Sequence, residues 1–433
     1  MDKKLIYKNQ YGFRNEHSTE LAGLEITDRI TNSLDHGKIP ITVYLDLSKA
    51  FDTLDHKILL NKLKYYGIKG VALNWFRSYL SDRYQYIDLD GTQSEKLLIT
   101  TGVPQGSILG PLLFLIYMND IHLASDKFHS ILYADDTSLL DSLCSFNTVV
   151  TGTKYNDISE ISANINKELQ AISDWLKLNK LSLNVKKTKY MLFHHRQRNI
   201  NSLIPSLNIE GHEIERVTEF NFLGLTLDQH MSWDSHTNKI ANKISRTLGI
   251  LCRLKHVLPP NILKIIYSTL IQPHLQYAIL CWGFKQTRIF KLQKRAIRLI
   301  TMNKYNAHTA PLFKKLGILT LPDIFRWSGL KFYYKLQNSQ LPHHFMDNFY
   351  PTDAFHPYNT RHREQVSSVR VNTASAEKCV RYFLPKLITD TPLLITDKCN
   401  THSYQGFSNY VKNSFISNYV LECNIENCYI CGR

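Results

Sequence analysis

Acidic residues are missing from one long stretch of this sequence. Residues 235–322 contain fifteen Lys or Arg and no Asp or Glu, whereas the whole chain of 433 residues has 52 Lys and Arg against 37 Asp and Glu. The formal net charge of +15 is therefore concentrated in this stretch. Such a concentration of positive charge indicates a polyanionic partner. A solvated lysine-rich face is the usual alternative for a charge run, and the complete absence of acids argues against it.

The sequence also lacks an apolar segment typical of secretion or of membrane insertion. No apolar run of signal-peptide length follows residues 1–4, which predicts an intracellular protein, nuclear or cytoplasmic and not secreted. The longest uncharged window, residues 265–284, contains Gln272, Pro273 and His274, and hydrocarbon would penalise these groups. We therefore predict a buried helix broken at Pro273 and no membrane contact.

Cysteine is sparse and mostly irregular in its spacing. Eight cysteines in a chain without a secretory signal predict reduced thiols rather than a disulfide scaffold. Near the C-terminus, Cys423, Cys428 and Cys431 could supply three thiolates to a tetrahedral zinc site, with Cys399 or His402 as the fourth ligand. The spacing is not that of a standard zinc knuckle, and a trio of reduced surface cysteines is the alternative.

The first half of the chain alternates between strand and helix patterns. Residues 41–46 (ITVYLD) alternate as a strand, with Ile41, Val43 and Leu45 on one face, and the strand ends in Asp46. Residues 55–66 then carry apolar side chains at helical spacing and are followed by Gly67, as expected at a helix end. A strand followed by a helix is predicted.

A second acidic connection lies further along. The apolar runs 131–133 and 137–140 flank Ala134-Asp135-Asp136, which predicts a hairpin with an acidic turn. After Trp233 the patterns become mainly helical. Mixed strands and helices predict an α+β fold, and a chain of 433 residues that is 43% hydrophobic can bury a large core in two to three domains.

Converging aspartates are what nucleotidyl transfer requires. When a 3′-hydroxyl attacks an α-phosphorus and pyrophosphate leaves, two divalent ions about 3.5–4 Å apart can stabilise both oxygens. Mg²⁺ prefers a few carboxylates together with phosphate oxygens and water. Asp46 and the Asp135-Asp136 pair fit that requirement. As isolated features, a strand-terminal aspartate is more often a cap or a solvated end, and an Asp-Asp pair is usually a turn.

Five sequence blocks, taken in order, resemble the reverse transcriptases of non-long-terminal-repeat (LINE-like, jockey-like) retrotransposons. The blocks are QYGFRNEHST (10–19), YLDLSKAFDTLDH (44–56), GVPQGSILGPLLF (102–114), YADD (133–136), and the run from NKLSLNVKKTKYMLF (179–193) to FNFLGLTLD (220–228). From the first to the last they span about half of the chain. The resemblance implies an RNA-directed DNA polymerase that uses two Mg²⁺ ions, an RNA template, a DNA primer and dNTPs.

The resemblance also implies roles for single residues. Asp46 and Asp135 match the family's Mg²⁺ ligands, and Asp136 matches their supporting neighbour, so these three are the expected catalytic residues. Phe51 matches the bulky ring beneath the incoming sugar, where it would clash with a 2′-hydroxyl and select deoxynucleotides. Without the resemblance, Phe51 would be interpreted as a core aromatic on the helix after the strand.

Three further residues are expected to contact substrate. The bent GVPQG backbone places Gln105 and Gly106 against nucleotide or template, although as structure alone it is a loop before an apolar helix. Lys187 matches the position proposed to protonate pyrophosphate, and a solvated surface lysine is the alternative.

The acid-free stretch is expected to bind nucleic acid through a helical thumb. Its basic charges would neutralise phosphates of template and primer. In residues 285–300 an apolar face of Ile289, Leu292, Ala296 and Ile300 is predicted. The residues expected to contact phosphates, which mostly project elsewhere, are Arg288, Lys291, Arg295 and Arg298.

The predicted organisation is a right-hand polymerase. Residues 1–230 are expected to form the reverse transcriptase domain, with palm and partial fingers, residues 231–330 a basic helical thumb, and residues 331–433 a C-terminal extension of unknown role. The family's upstream fingers segment and its endonuclease do not precede the first block, so a truncated copy with weak activity is expected. The alternative is a catalytically silent, nucleic-acid-binding remnant.

Overall fold

The computed structural model describes residues 5–141, 158–200, 204–347, 349 and 369–419. The chain divides into two compact units. Unit 1 comprises Met1–Ala22 and His36–Thr218, and unit 2 comprises Gly23–Asp35 and Glu219–Arg433. The basic stretch and the C-terminal region thus belong to one compact unit, and the functional boundaries at residues 230 and 330 stay a prediction.

Unit 1 combines short helices with one main sheet. Its elements, together with the first helix of the chain, are α1 (Thr19–Asp35), β1 (Ile41–Leu45), α2 (His56–Tyr65), α3 (Gly70–Leu80), β2 (Tyr84–Gln85), β3 (Asp88–Leu89), β4 (Thr92–Gln93), β5 (Leu97–Leu98), α4 (Leu109–Met118), β6 (Phe128–Tyr133), β7 (Asp136–Asp141), α5 (Ile158–Leu178), β8 (Lys189–Leu192), β9 (Asn208–Ile209), β10 (His212–Glu213) and β11 (Glu215–Arg216). The main sheet has the strand order β11-β8-β1-β7-β6. Strand β1 lies at its centre and is antiparallel to both β7 and β8.

The central strand is buried on both faces. Ile41, Val43 and Leu45 belong to the main apolar core of unit 1, as their alternation predicts. Thr42 and Tyr44 on the opposite face are also buried, and burial raises the pKa of the Tyr44 hydroxyl. Strand β1 is paired along both edges and packed on both faces, so a change of register would disrupt two ladders and the core packing, and this fixes the end of the strand in space.

The predicted helix after the strand is confirmed. The Asp55 side chain accepts hydrogen bonds from the backbone N–H groups of Lys57 and Ile58, which satisfies donors at the start of α2. Leu59 and Leu63 are its buried residues. The backbone then leaves the helix through Gly67, whose φ of 91° is favourable for glycine.

Unit 2 is mainly helical. Its remaining elements are β12 (Glu219–Phe222), β13 (Leu225–Asp228), α6 (Asp234–Leu254), α7 (Pro260–Leu270), α8 (Gln272–Gln276), α9 (Ile279–Trp282), α10 (Thr287–Ile300), α11 (Ala310–Leu316), α12 (Leu321–Gln337), α13 (His343–Met346), α14 (Val380–Thr389), α15 (Leu393–Thr396) and α16 (Tyr404–Ser417). The predicted break at Pro273 is confirmed, because α7 ends at Leu270 and α8 starts with Pro273 in its first turn. Among the described residues, no helix is long and apolar enough to cross a membrane.

The second half of α1 is held by residues near the C-terminus. The Asp28 carboxylate lies 3.1 Å from Arg381 Nε and 3.3 Å from His344 Nε2. At the C-terminal end of the helix, the Asp35 side chain accepts hydrogen bonds from the backbone N–H of Asn372 at 2.9 Å and from the Thr373 hydroxyl at 2.8 Å. These acids are buried, so their pairing avoids the cost of an isolated buried charge. The region expected to be an extension is therefore part of the packing of unit 2.

A buried histidine in unit 2 gives its stability a pH dependence. His236 on α6 accepts a hydrogen bond at Nδ1 from the backbone N–H of Thr226, and its ring packs against Trp233 and Trp282. Burial, followed by the charges of Lys239 and Lys243, lowers the pKa of His236 to about 4. The folded protein therefore keeps this imidazole neutral at pH values where an unfolded chain protonates it.

We expect stability to fall as the pH drops from about 6.5, the ordinary pKa of histidine, towards about 4. In that window the unfolded chain binds the proton and the folded protein does not, which costs up to about 3 kcal/mol at the acidic end. Urea unfolding of the wild type and of His236→Gln at several pH values should show that the variant loses this part of the pH dependence. His256→Gln, at an exposed histidine of the same unit, should keep it. Parallel curves for wild type and His236→Gln would contradict the expectation.

Candidate active site

Asp46 lies immediately after the central strand β1. Its backbone is held by the neighbouring segment, because the N–H of Asn184 donates to the Asp46 carbonyl at 2.8 Å. The Asp46 carboxylate is 39% exposed, and one of its oxygens lies 3.8 Å from Lys187 Nζ. The strand end therefore presents a fixed, solvent-accessible carboxylate with one cation beside it.

The predicted acidic hairpin is confirmed, and its turn is shorter than expected. Strands β6 and β7 pair in register, with Tyr133 opposite Asp136, so only Ala134 and Asp135 form the turn. Ala134 adopts a left-handed φ of 55°, a conformation that a two-residue hairpin favours. Asp136 is thus the first residue of a strand, and its backbone position is set by the sheet.

The sheet brings the three aspartates to the same end. Leu45 of β1 pairs with Thr137 of β7 in antiparallel register. Asp46 and Asp136 therefore lie at the next position along these two neighbouring strands, facing each other. Partial desolvation raises the pKa of Asp136, and the negative charges of Asp135 and Asp46 raise it further. The carboxylates therefore share one region of negative potential, and a cation placed there would relieve their repulsion.

The donor set fits Mg²⁺, although these side chains do not form a closed cage. Carboxylate oxygens are the ligands that this hard cation prefers. Within the described ranges, no group of three or more His, Cys, Asp or Glu side chains is arranged so that it could hold a metal ion alone. Mg²⁺ usually keeps several waters and takes substrate phosphates as ligands, so two or three carboxylates around an open position are what such a site needs.

Phe51 lies on a short 3-10 helix, Ala50–Asp52, that follows the strand end. One face of its ring stacks on buried Phe114, with ring centroids 4.2 Å apart and an interplanar angle of 19°. The Phe13 ring is nearly perpendicular to that of Phe51, with centroids 6.5 Å apart, and Phe13 is 58% exposed. Phe51 is itself only half-buried, so its ring is supported by the core and still borders the surface.

The loop that carries Gln105 is fastened to the segment after Phe51. The Gln105 amide donates to the Asp52 carboxylate at 2.8 Å, and the Thr101 hydroxyl donates to the Asp52 carbonyl at 3.0 Å. Gly102 has a φ of 83°, and a Cβ there would lie 2.7 Å from the Asp52 carbonyl oxygen, so only glycine fits. Gly106, with a φ of 77°, has open space around it.

This loop borders a cleft of about 650 Å³. Among the residues that line the cleft are Lys49, His56, Arg83 and Gln105. The His56 ring is held in place by a 2.8 Å hydrogen bond to the Gly102 carbonyl. The lining is partly apolar and includes the Asp52 carboxylate together with two cations, Lys49 and Arg83, which are groups that can bind phosphates.

The four basic residues expected to bind phosphates lie on α10 in unit 2. Arg288, Lys291 and Arg295 are exposed, and Arg288 donates to the Asn238 side chain at 2.5 Å. Arg298 differs, because its Nε donates to the Ala307 carbonyl at 2.8 Å and burial lowers its pKa. Three of these cations therefore face solvent, and the fourth is tied to the backbone of the following loop.

The predicted apolar face of α10 is largely confirmed. Ile289, Ala296 and Ile300 are buried, and Leu292 is half-buried. The residues of this helix that are buried are Ile289, Phe290, Gln293, Lys294, Ala296, Ile297 and Ile300. At this turn of the helix the buried residue is therefore Gln293, one position after the predicted Leu292.

The proposed zinc ligands Cys423, Cys428 and Cys431 lie outside the described residues. Of the two candidates for a fourth ligand, Cys399 is buried, and burial together with the charge of Asp397 raises the pKa of its thiol to about 12. Zinc binds the thiolate, so this environment disfavours Cys399 as a ligand. The His402 ring is hydrogen-bonded to the Thr401 hydroxyl at 2.9 Å.

Two residues that organise the site were not expected from the sequence. Gln10, which is buried, contacts the turn of the acidic hairpin, and Asp52 holds Gln105. Both residues lie inside sequence blocks that carry the family resemblance, and this position was the only indication in the sequence that they could belong to the site. Neither residue type predicts such a contact by itself.

Three aspartates at one end of a sheet form the kind of arrangement that can bind divalent cations for chemistry on nucleotide phosphates. The chain belongs to the reverse transcriptase family: the family model described as "Reverse transcriptase (RNA-dependent DNA polymerase)" matches residues 1–227. The resemblance to the proteins of non-long-terminal-repeat elements is also confirmed. The proteins similar to this chain include some named as RNA-directed DNA polymerases of Drosophila transposons.

Two relatives from Drosophila melanogaster illustrate the similarity. The "Probable RNA-directed DNA polymerase from transposon BS" is 26% identical over 342 residues, which are 74% of this chain and 35% of the relative. The "RNA-directed DNA polymerase from mobile element jockey" is 25% identical over 336 residues, again 74% of this chain and 35% of the relative. The chain thus spans about a third of the length of the curated relatives it matches.

The chain is also similar to a solved structure. Telomerase from Candida albicans, in complex with a TWJ fragment of telomeric RNA, aligns over 70% of this chain and 54% of that chain, with 13% identity and a TM-score of 0.30.

Proposed function

We propose that this chain is an RNA-directed DNA polymerase that extends a DNA primer on an RNA template with dNTPs and two Mg²⁺ ions. In this proposal the sheet of unit 1 is the palm, with partial fingers beside it, and the basic region 231–330 is the thumb. The observation that carries the proposal is the arrangement of Asp46, Asp135 and Asp136 at one end of that sheet. Family membership supports the same activity.

The three aspartates would have two tasks. Asp46 and Asp135 would hold Mg²⁺, which, when bound, stabilises charge on the attacking and leaving oxygens. Asp136 would keep the region negative and orient its neighbour. The strand pairing supports this division, because Asp136 is fixed in the ladder while Asp135 lies at the tip of the turn.

The other site residues would position the nucleotide. The supported ring of Phe51 would lie beneath the sugar, and the fastened loop at Gln105 and Gly106 would contact the base pair or the template. Lys187 is 70% exposed and lies 3.8 Å from an Asp46 oxygen, and this closeness to a proposed Mg²⁺ ligand supports a role as proton donor to leaving pyrophosphate. The cleft beside Gln105 would accept part of the nucleic acid backbone.

Primer extension on an RNA template tests the proposal. Purified protein, a DNA primer, dNTPs and Mg²⁺ should give extended products that EDTA abolishes. Binding of the hybrid without any extension would contradict the polymerase proposal. That outcome would favour a nucleic-acid-binding remnant, for which the exposed cations of α10 would be sufficient.

The salt dependence of hybrid binding tests the basic helix. Charge removal by Gln at Arg288, Lys291 and Arg295 should flatten the slope of log affinity against log salt by roughly 0.9 per lost contact on a B-form duplex, and somewhat differently on a hybrid. Arg298→Gln should change the slope least among the four, because its guanidinium is tied to Ala307. Fluorescence anisotropy at several salt concentrations measures these slopes.

A matched control separates contact from net charge. Lys127 is exposed in unit 1, and Lys127→Gln removes one unit of charge, as each single substitution in α10 does, from another part of the protein. Its slope should equal that of the wild type. Equal slopes for the wild type and the triple variant of α10 would mean that these cations are only solvated.

A further inference from the structure

The segment before α1 adds backbone pairing to the outer strand of the acidic hairpin. The N–H of Leu132 donates to the Asn9 carbonyl at 3.0 Å, and the N–H of Tyr11 donates to the Leu132 carbonyl at 2.7 Å. Gln10 and Leu132 thereby form a parallel bridge. The chain from Asn9 to Gly12 thus runs along β6 towards the turn that carries Asp135.

The side chain of Gln10 reaches that turn directly. It is only 2% exposed, and its Oε1 accepts hydrogen bonds from the backbone N–H of Gly12 at 2.8 Å and of Ala134 at 3.1 Å. A buried N–H group needs a partner, and this carbonyl supplies one to a residue whose φ is left-handed. Gln10 therefore links the first sequence block to the turn itself.

Gly12 allows this close approach. A Cβ at Gly12 would lie 2.5 Å from the Ala134 nitrogen and 3.2 Å from Gln10 Oε1. Real Cβ atoms essentially never approach backbone so closely, so any side chain at this position would displace the turn. Gln10 and Gly12 act as one feature, which we call the turn brace.

We propose that Gln10 is a positioning residue for the catalytic aspartates, holding the Ala134-Asp135 turn in the one conformation that presents Asp135 beside Asp136 and Asp46. The proposal rests on the polymerase function proposed above, because it assigns the brace to that site. Gln10 does not touch the reacting atoms in this role. A sub-ångström change in the turn would alter how the carboxylates meet a cation, since such sites require accurate geometry.

Hydrogen exchange tests the brace without using activity. Gln10→Met keeps the length of the side chain and removes the acceptor oxygen, so exchange of the amides at the turn should rise at least about tenfold, or about 1.4 kcal/mol of opening free energy. Gln10→Glu keeps an oxygen at the same reach and should retain protection. Amides of β1 serve as the reference for global unfolding.

Asn119→Leu is the matched control. Asn119 is also a buried amide and holds the same segment, accepting from the Tyr7 N–H at 2.7 Å and donating to the Leu5 carbonyl at 2.8 Å, but it makes no hydrogen bond to the turn. Its loss should destabilise the segment and leave exchange at the turn unchanged. Equal exchange at the turn in Gln10→Met and Asn119→Leu would overturn the proposal.

Polymerase assays then connect the brace to the site. Gln10→Met should raise the Mg²⁺ concentration for half-maximal extension about tenfold and change the KM for dNTP much less. If Gln10→Met does not fold, Gly12→Ala replaces it, because its Cβ would press on the Ala134 nitrogen. A loosened turn with an unchanged Mg²⁺ dependence would overturn the positioning role. A wild type that extends no primer would contradict the polymerase proposal alone, since the exchange comparison does not depend on activity.

Discussion

Replacing Asp46 or Asp135 with asparagine is expected to lower Mg²⁺-dependent primer extension by about 10³-fold or more. Asparagine keeps the shape of the side chain and removes the negative charge that the cation needs. Asp46 is fixed at the end of a strand buried on both faces, and Asp135 lies in a two-residue turn. The backbone should therefore tolerate both changes, and the loss should appear in kcat at saturating substrate.

The control for this prediction is a charge loss elsewhere in unit 1. Asp174 is exposed on α5 and accepts a hydrogen bond from Gln170, so Asp174→Asn changes the same charge outside the site. Its extension rate should match that of the wild type. Hybrid affinity should stay nearly constant in all three variants, because the aspartates are not proposed to grip the nucleic acid backbone. Retained extension in Asp46→Asn or Asp135→Asn would remove the assignment of the metal ligands.

The parts of the site that the sequence predicts are those determined by neighbouring residues. The alternation of residues 41–45 was sufficient to place Asp46 at a strand end. The apolar runs on both sides of Ala134 were sufficient to predict the hairpin. In both cases, the pattern and the structure that it predicts extend over fewer than about twenty residues, the range within which periodicity is informative.

Contacts between distant residues explain what could not be predicted. Gln10 and Ala134 are 124 positions apart, and Asp52 and Gln105 are 53 apart. The turn is one residue shorter than expected because Asp136 pairs with Tyr133 and the brace supports Ala134. Periodicity carries no information about such pairs.

The same limit applies to the basic helix and to the C-terminal region. Spacing predicted the apolar face of α10, but it could not show that Arg298 turns back to the Ala307 carbonyl. The pairing of Asp28 with Arg381 spans 353 positions. The sequence therefore could not predict that the C-terminal region and the second half of α1 belong to a single compact unit.

The aromatic ring after Asp46 can now be interpreted in physical terms. The two interpretations of Phe51, as a core aromatic and as a ring beneath the sugar, are compatible, because one face stacks on Phe114 while the side chain remains half-buried. A ring that must exclude a hydroxyl needs such support, since an unsupported side chain would move aside. Substitutions at Phe114 and at Phe51 can measure separately how much the supporting ring and the excluding ring contribute to rejecting a 2′-hydroxyl.

Phe51→Val is expected to reduce discrimination against ribonucleotides by up to roughly 10²-fold, the scale on which an apolar pocket distinguishes one added hydroxyl. The smaller side chain opens space for the 2′-hydroxyl, so kcat/KM for rNTPs should rise relative to dNTPs. Phe51→Tyr keeps the ring and should keep the discrimination. Phe114→Val removes the supporting ring, which is fully buried, and should lower stability with a smaller change in discrimination. Single-nucleotide incorporation kinetics measure the ratio for each variant. If Phe51→Val and Phe114→Val both destabilise the protein and leave the ratio unchanged, Phe51 is a core residue and the sugar is selected elsewhere.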